Sequence, residues 1–143
     1  MVGEYLRKIN YYETDKMGIT HHSNYIRFME EARIHFLDQI GCGYDKWEQS
    51  GIVSPVIGIE CEYKRPTTFS DELCIRVEIA EYKRLKLSVS YTMVKVGTGA
   101  LVFKGTSHHC FLNAENKVIA LSKQYPEYDE LLKEYCTLEE MKK

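Results

Sequence analysis

Apolar residues recur at three- and four-residue steps over residues 24–40, where Tyr25, Met29, Ala32, Phe36 and Ile40 form one stripe. That spacing predicts one long amphipathic helix, and Gly41 and Gly43 are its stop signals. Residues 44–50 predict a short second helix around Trp47. Ahead of the long helix, residues 5–12 alternate between apolar and polar and predict a first strand. From Ile52 onward the period changes to two. Residues 53–65 read as a strand closed by Pro66. Leu73, Ile75, Val77 and Ile79 alternate on a second such strand, and Leu85, Leu87, Val89, Tyr91 and Met93 on a third. Leu101, Phe103 and Phe111 belong to a further one. The connections Tyr82-Lys83-Arg84 and Gly97-Thr98-Gly99 are short enough for hairpins, so the sheet should be antiparallel and meandering. From Pro126 to residue 143 the chain reads as a helical tail.

One long early helix followed by four long strands makes an α+β domain, with the helix lying across a curved antiparallel sheet of about five strands. Such a sheet, covered on one face by a single helix, leaves apolar surface and a strand edge exposed. A homodimer is therefore expected, with the two sheets joined edge to edge. The 143 residues suit one domain. A net charge of −2 gives no general attraction to nucleic acid or to anionic membranes. The five cysteines form an odd set without C-x-x-C spacing, which fits free thiols in a reducing compartment. There is no apolar run suited to a signal peptide or to membrane insertion, so a cytoplasmic location is expected.

Candidate chemistry concentrates in residues 11–25, Tyr-Tyr-Glu-Thr-Asp-Lys-Met-Gly-Ile-Thr-His-His-Ser-Asn-Tyr. Asp15 falls in a polar loop that turns at Gly18 and enters the helix at Ser23-Asn24. A helix entrance offers unpaired backbone N–H groups and the positive end of a dipole. A carboxylate beside such donors suits acyl transfer, the carboxylate acting on water or on the carbonyl and the amides holding the oxyanion. Asp often caps a turn or a helix instead. Here Ser23 or Asn24 suits the cap, which leaves Asp15 free, and Gly18 then reads as a backbone passage for a ligand. The pairs His21-His22 and His108-His109 offer no convergent metal site, because adjacent strand residues point to opposite faces. Lys83, Arg84 and Lys86, with Lys64 and Arg65, read either as solvated turn charges or as a basic rim for phosphates. Gly97-Thr98-Gly99 is a turn rather than a dinucleotide loop, and the phosphate-loop and serine-hydrolase motifs lack their central residues.

The run Tyr12-Glu13-Thr14-Asp15, Gly18, His22, Asn24-Tyr25, Phe28, Glu30 and Arg33 resembles the 4-hydroxybenzoyl-CoA thioesterase family of hotdog-fold enzymes. That family includes short-chain acyl-CoA thioesterases of the Tol–Pal-associated type. The likeness continues through Asp71-Glu72-Leu73 and Thr106, His109, Cys110 and Phe111. It implies a helix wrapped by a bent sheet, two protomers sharing one sheet, and active sites at their interface, often within a homotetramer. It also implies acyl-CoA as substrate and no metal or redox cofactor. Asp15 would be the catalytic carboxylate, as general base or as nucleophile. The His22 N–H would polarise the thioester carbonyl, and basic residues near the Lys83-Arg84 turn, often from a neighbouring subunit, would meet the coenzyme A phosphates. Gly18, Asn24, Tyr25 and Arg65 complete the expected substrate contacts, with Phe28 and residues near Pro55 as further pocket walls. His at position 22 resembles the branch associated with aliphatic acyl groups. The rival readings are an acyl carrier protein thioesterase, a hotdog enoyl-CoA hydratase and a non-catalytic acyl-CoA-binding module.

Overall fold

The computed structural model of the chain describes residues 2–136, so the last residues of the expected helical tail lie outside the described residues. Strand β1 (Glu4–Lys8) leads through a single 3-10 turn (Tyr11–Glu13) and a loop into α1 (Ser23–Gln39). The short α2 (Tyr44–Gln49) follows, then β2 (Val56–Tyr63), β3 (Glu72–Tyr82), β4 (Leu87–Lys95) and β5 (Leu101–His109). Two small helices, α3 (Leu121–Gln124) and α4 (Pro126–Glu134), close the described chain. The long helix therefore lies within a residue of its expected bounds, and Gly41 ends it at φ +90°. That angle is in the left-handed region that glycine reaches without strain.

The expected first strand stops short, because residues 11–13 coil into the 3-10 turn. Leu85 also leaves its strand and stands exposed in the β3–β4 turn. The five strands pair antiparallel in the order β1-β3-β4-β5-β2. Strands β3, β4 and β5 form the expected meander, but β2 crosses over to the far side of β5. In register, Tyr82, Leu87, His109 and Val56 mark one end of the sheet. Ile75, Met93, Phe103 and Tyr63 lie toward the other. Register shifts at Ile79–Glu81, Met93–Val94 and Val56–Gly58 break the ladders, and such bulges bend the strands that carry them.

Helix α1 buries Tyr25, Phe28, Met29, Ala32, Phe36 and Leu37 in one core with Leu73, Ile75, Ile79, Val89, Met93 and Phe103 of the sheet. Each large side chain so buried contributes about 1.5–3 kcal/mol. The outermost strands differ. Strand β1 is short and carries Glu4, Arg7 and Lys8. Strand β2 is longer and exposes Val56, Ile57, Ile59 and Tyr63. All five cysteines are free. Burial pushes the Cys42 thiol up to about 12, which makes it an inert core residue. Among the described residues no helix is long and apolar enough to cross a membrane.

Candidate active site

The loop from Glu13 to His22 is pinned at both ends by backbone bonds. The Asp15 N–H donates to the Ile19 carbonyl at 2.8 Å and the Gly18 N–H to the Asp15 carbonyl at 2.9 Å. The Thr20 N–H donates to the Thr67 carbonyl at 2.8 Å, which fastens the loop to the chain that follows β2. The Glu13 carbonyl accepts from the His21 N–H at 2.8 Å and from Asn24 Nδ2 at 2.9 Å. One carbonyl thus ties the start of the loop to the entrance of α1. The Glu13 carboxylate is in turn buried against Arg7, which also pairs with Glu31 at 2.8 Å.

Asp15, His22 and Tyr25 come together in a cavity of about 300 Å³, with Met17, Ile19, Thr20, Tyr63, Lys64, Arg65 and Pro66 as its other walls. The Tyr25 hydroxyl is held by Thr67 Oγ1 at 2.8 Å, and its ring stacks on Phe103 with centroids 5.2 Å apart. The Tyr63 hydroxyl donates to the His22 carbonyl at 3.1 Å, fixing the helix entrance to the end of β2. The His22 N–H has no partner among the described residues, as expected of a first-turn donor. Asp15 is half-buried, and its Oδ1 accepts the Met17 N–H at 2.8 Å. Asp15 also borders a second, polar cavity of about 580 Å³ that holds Asn24, His21 and Arg27.

Several expectations about single residues change. Neither Ser23 nor Asn24 caps α1. The cap position is His22, without a side-chain cap bond, while Ser23 Oγ lies 2.9 Å from His21 Nδ1 and Asn24 reaches back to Glu13. Asp15 is correspondingly not without structural duty, since it holds the Met17 amide. Gly18 does not line the cavity. It is exposed at φ +78°, where a Cβ would meet no protein atom, so its role is the turn itself. Lys83 and Arg84, expected often to come from a neighbouring subunit, lie away from Asp15 within one chain. They occupy the turn at the Tyr82–Leu87 end of the sheet, and the length of β2, roughly 20–25 Å at strand rise, separates that end from the Tyr63 end. Phe28 is wholly core, and Pro55 lines a different cavity with Trp47 and Tyr44.

Tyr63 and Thr67 contribute without a signal of their own in residue order, and Pro66, expected only as the end of a strand, is a wall of the cavity.

The late histidines separate by strand alternation. His108 lies on one face, 2.7 Å from Ser88 Oγ and 3.5 Å from Glu60. His109 is buried at the end of a polar chain. Arg33 donates to the Tyr91 hydroxyl at 3.0 Å, Tyr91 lies 2.6 Å from Ser107 Oγ, and Ser107 lies 2.7 Å from His109 Nε2. Arg33 can only donate, so in this run Tyr91 donates to Ser107 and Ser107 to Nε2, which puts the ring proton on Nδ1, a buried atom with no hydrogen-bond partner among the described residues. Among the described residues no three metal-ligating side chains converge.

Burial first, then the Arg33 cation, holds His109 down at about 4. The unfolded chain takes up a proton near pH 6.5 and the folded chain does not. Stability contributed by the neutral ring is therefore complete above about pH 6.5 and falls as the pH drops toward 4, by about 3 kcal/mol at most. Thermal unfolding of the wild type and of His109→Gln between pH 7.5 and 4.5 should show their difference narrowing with acid. Parallel curves would refute this.

The model of the family described as the thioesterase-like superfamily matches residues 9–134. An esterase candidate of Aquifex aeolicus is 34% identical over 84% of this chain and 91% of its own. A candidate acyl-CoA thioesterase of Bacillus subtilis is 32% identical over 85% of this chain and 88% of its own. Among solved structures, a DHNA-CoA thioesterase from Staphylococcus aureus superposes with a TM-score of 0.87 at 26% identity, covering 94% of this chain and 91% of that one.

Proposed function

From the premise that this chain belongs to the thioesterase-like superfamily, we propose that it hydrolyses acyl-CoA to a free acid and coenzyme A, with Asp15 as the catalytic carboxylate. The chain is a thioester hydrolase of the hotdog fold. The observation that carries the residue assignment is the shared cavity of Asp15 and His22, with an unpartnered N–H on His22. A thioester carbonyl seated there meets a donor on its oxygen and a carboxylate on its carbon side. As the tetrahedral intermediate forms, negative charge grows on that oxygen, and a preorganised amide stabilises it more than it stabilises the ground state. Asp15 either takes the proton of the attacking water or attacks as nucleophile to give a mixed anhydride. The wall of Ile19, Tyr25, Tyr63 and Pro66 suits an apolar acyl group beside it. Histidine at position 22 favours the short-chain, Tol–Pal-associated type within the superfamily.

The exposed β2 edge completes the reading as a homo-oligomer. Strand β1 is short and charged, which blunts that edge, whereas β2 presents apolar side chains and unpaired backbone groups. Antiparallel pairing of two β2 strands would set the Val56 end of one copy beside the Tyr63 end of the other. Sedimentation at the mass of one 16.7 kDa chain would remove this part of the reading.

A thioester panel tests the activity: acetyl to palmitoyl and benzoyl, each on coenzyme A and on acyl carrier protein. Thiol release should be fastest from aliphatic acyl-CoA. Preference for the protein carrier would shift the substrate class. Loss of enoyl absorbance without thiol would make the enzyme a hydratase, and tight binding without release would make it a binding module.

A further inference from the structure

The Asp15 cavity does not end at Arg65. Arg65 and Pro66 also line a second cavity of about 360 Å³, whose other walls are Lys95, Thr98, Ala100 and Val102. Arg65 and Pro66 thus wall both hollows. The second one carries two cations and no acid in its lining. The Arg65 guanidinium has no carboxylate partner among the described residues, unlike Lys64, which sits 3.4 Å from Glu62. Lys95 lies 3.3 Å from Asp71. Asp71 is independently held by the Thr68 N–H at 2.8 Å, so Lys95 can turn away without stranding it. The floor is the β4–β5 turn, where Gly97 and Gly99 leave open space around the backbone. The segment is fixed in place, with the Arg65 N–H donating to the Val102 carbonyl at 3.1 Å and the Lys95 N–H to the Ala100 carbonyl at 2.9 Å.

We propose that this Arg65–Lys95–Thr98 cavity binds the phosphate groups of the coenzyme A portion of the substrate, in the same protomer that supplies Asp15. The inference rests on the thioesterase reading and adds where the carrier lies. A thioester at Asp15 leaves its neutral pantetheine arm to cross Pro66, and the anionic end then arrives beside Arg65 and Lys95. Arginine offers phosphate a two-pronged contact and lysine a mobile point charge. The rival cation pair, Lys83 and Arg84, stands at the opposite end of the sheet. Lys83 is already paired with Glu81 at 3.3 Å, and this pair reaches Asp15 only from a second copy paired through β2, so it is the rival that the test must separate.

The test compares acyl-CoA with the matching S-acyl-N-acetylcysteamine, which carries the same thioester and no phosphate. Arg65→Ala should lower the ratio of kcat/KM for the two substrates about tenfold, the loss typical of a charged hydrogen-bonded contact. Arg65→Lys should recover part of it, and Lys95→Ala should lower the ratio by a smaller factor. In parallel, calorimetric titration with desulfo-coenzyme A, which cannot be turned over, should show roughly tenfold weaker binding to Arg65→Ala. An unchanged ratio and unchanged desulfo-coenzyme A affinity in Arg65→Ala would overturn the proposal. So would a ratio that falls only in Lys83→Ala/Arg84→Ala. If the wild type cleaves neither thioester, the hydrolase reading fails, and the titration still decides where the phosphates bind.

Discussion

Asp15→Asn is expected to lower kcat by about two to four orders of magnitude while the protein keeps its fold, the range for losing a positioned acid–base group. The substitution is the informative one because asparagine retains an oxygen that can accept the Met17 N–H, now 2.8 Å from Asp15 Oδ1. The turn through Gly18 should therefore persist, and unfolding should move little. What asparagine lacks is a basic, nucleophilic oxygen. The second oxygen, Oδ2, has no partner among the described residues, so in the wild type it is available to water or to the carbonyl. A fall in kcat with KM nearly constant marks an interaction made in the transition state, whereas a rise in KM alone marks lost ground-state binding. Release of thiol at the wild-type rate by Asp15→Asn would exclude Asp15 from the chemistry.

The same cavity frames the choice between base and nucleophile. A single turnover in ¹⁸O-labelled water separates them. If Asp15 activates water, the first molecule of product acid carries the label. If an anhydride forms and water attacks its aspartyl carbonyl, the label enters Asp15 first and the first product acid is unlabelled.

What could be read from residue order, and what could not, divides along the range of the interactions. The α1 stripe of Tyr25, Met29, Ala32, Phe36 and Ile40 was legible because helical contacts repeat locally, and all five are buried. Alternation located β3, β4 and β5 for the same reason. It could not place β2 outside β5, because the pattern of one strand does not encode its partner. In the site, Asp15, His22, Tyr25 and Arg65 were legible and do gather. Tyr63 and Thr67 were not, since they reach His22 and Tyr25 from about forty residues away in sequence. The cap assignment failed in an instructive way. Ser23 and Asn24 have the right chemistry for it, but stronger local partners at His21 and Glu13 claim them. Composition does not free Asp15 of structural roles, since it holds the Met17 amide while it lines the cavity.

Glu13→Gln should be the most destabilising single change near the site, by about 3 kcal/mol, and it should slow the enzyme as well. The Glu13 carboxylate is only 4% exposed. It accepts from Arg7 Nη1 at 2.9 Å and from the Asn10 N–H at 2.8 Å, and Arg7 in turn lies 4.6 Å from the Phe28 ring centroid. Removing one member of a buried pair leaves the other charge uncompensated, which typically costs 3–5 kcal/mol. Arg7 keeps Glu31, so the low end applies here, and a chain of this size should melt roughly 6–12 °C lower. The effect on rate follows from the backbone, because the Glu13 carbonyl holds both the His21 N–H and Asn24 Nδ2. A loosened Glu13 lets the loop drift between Asp15 and the helix entrance, and misplacement by an ångström can cost about a hundredfold in rate. The paired replacement Arg7→Met/Glu13→Leu discriminates between charge and position. It removes both charges and refills the space, so it should restore much of the melting temperature. If it also restores the rate, the ion pair acts by seating the loop. If the rate stays low while stability returns, the charges themselves act on the reaction. A loss below about 1 kcal/mol in Glu13→Gln would show that the pair behaves as an exposed one and holds nothing.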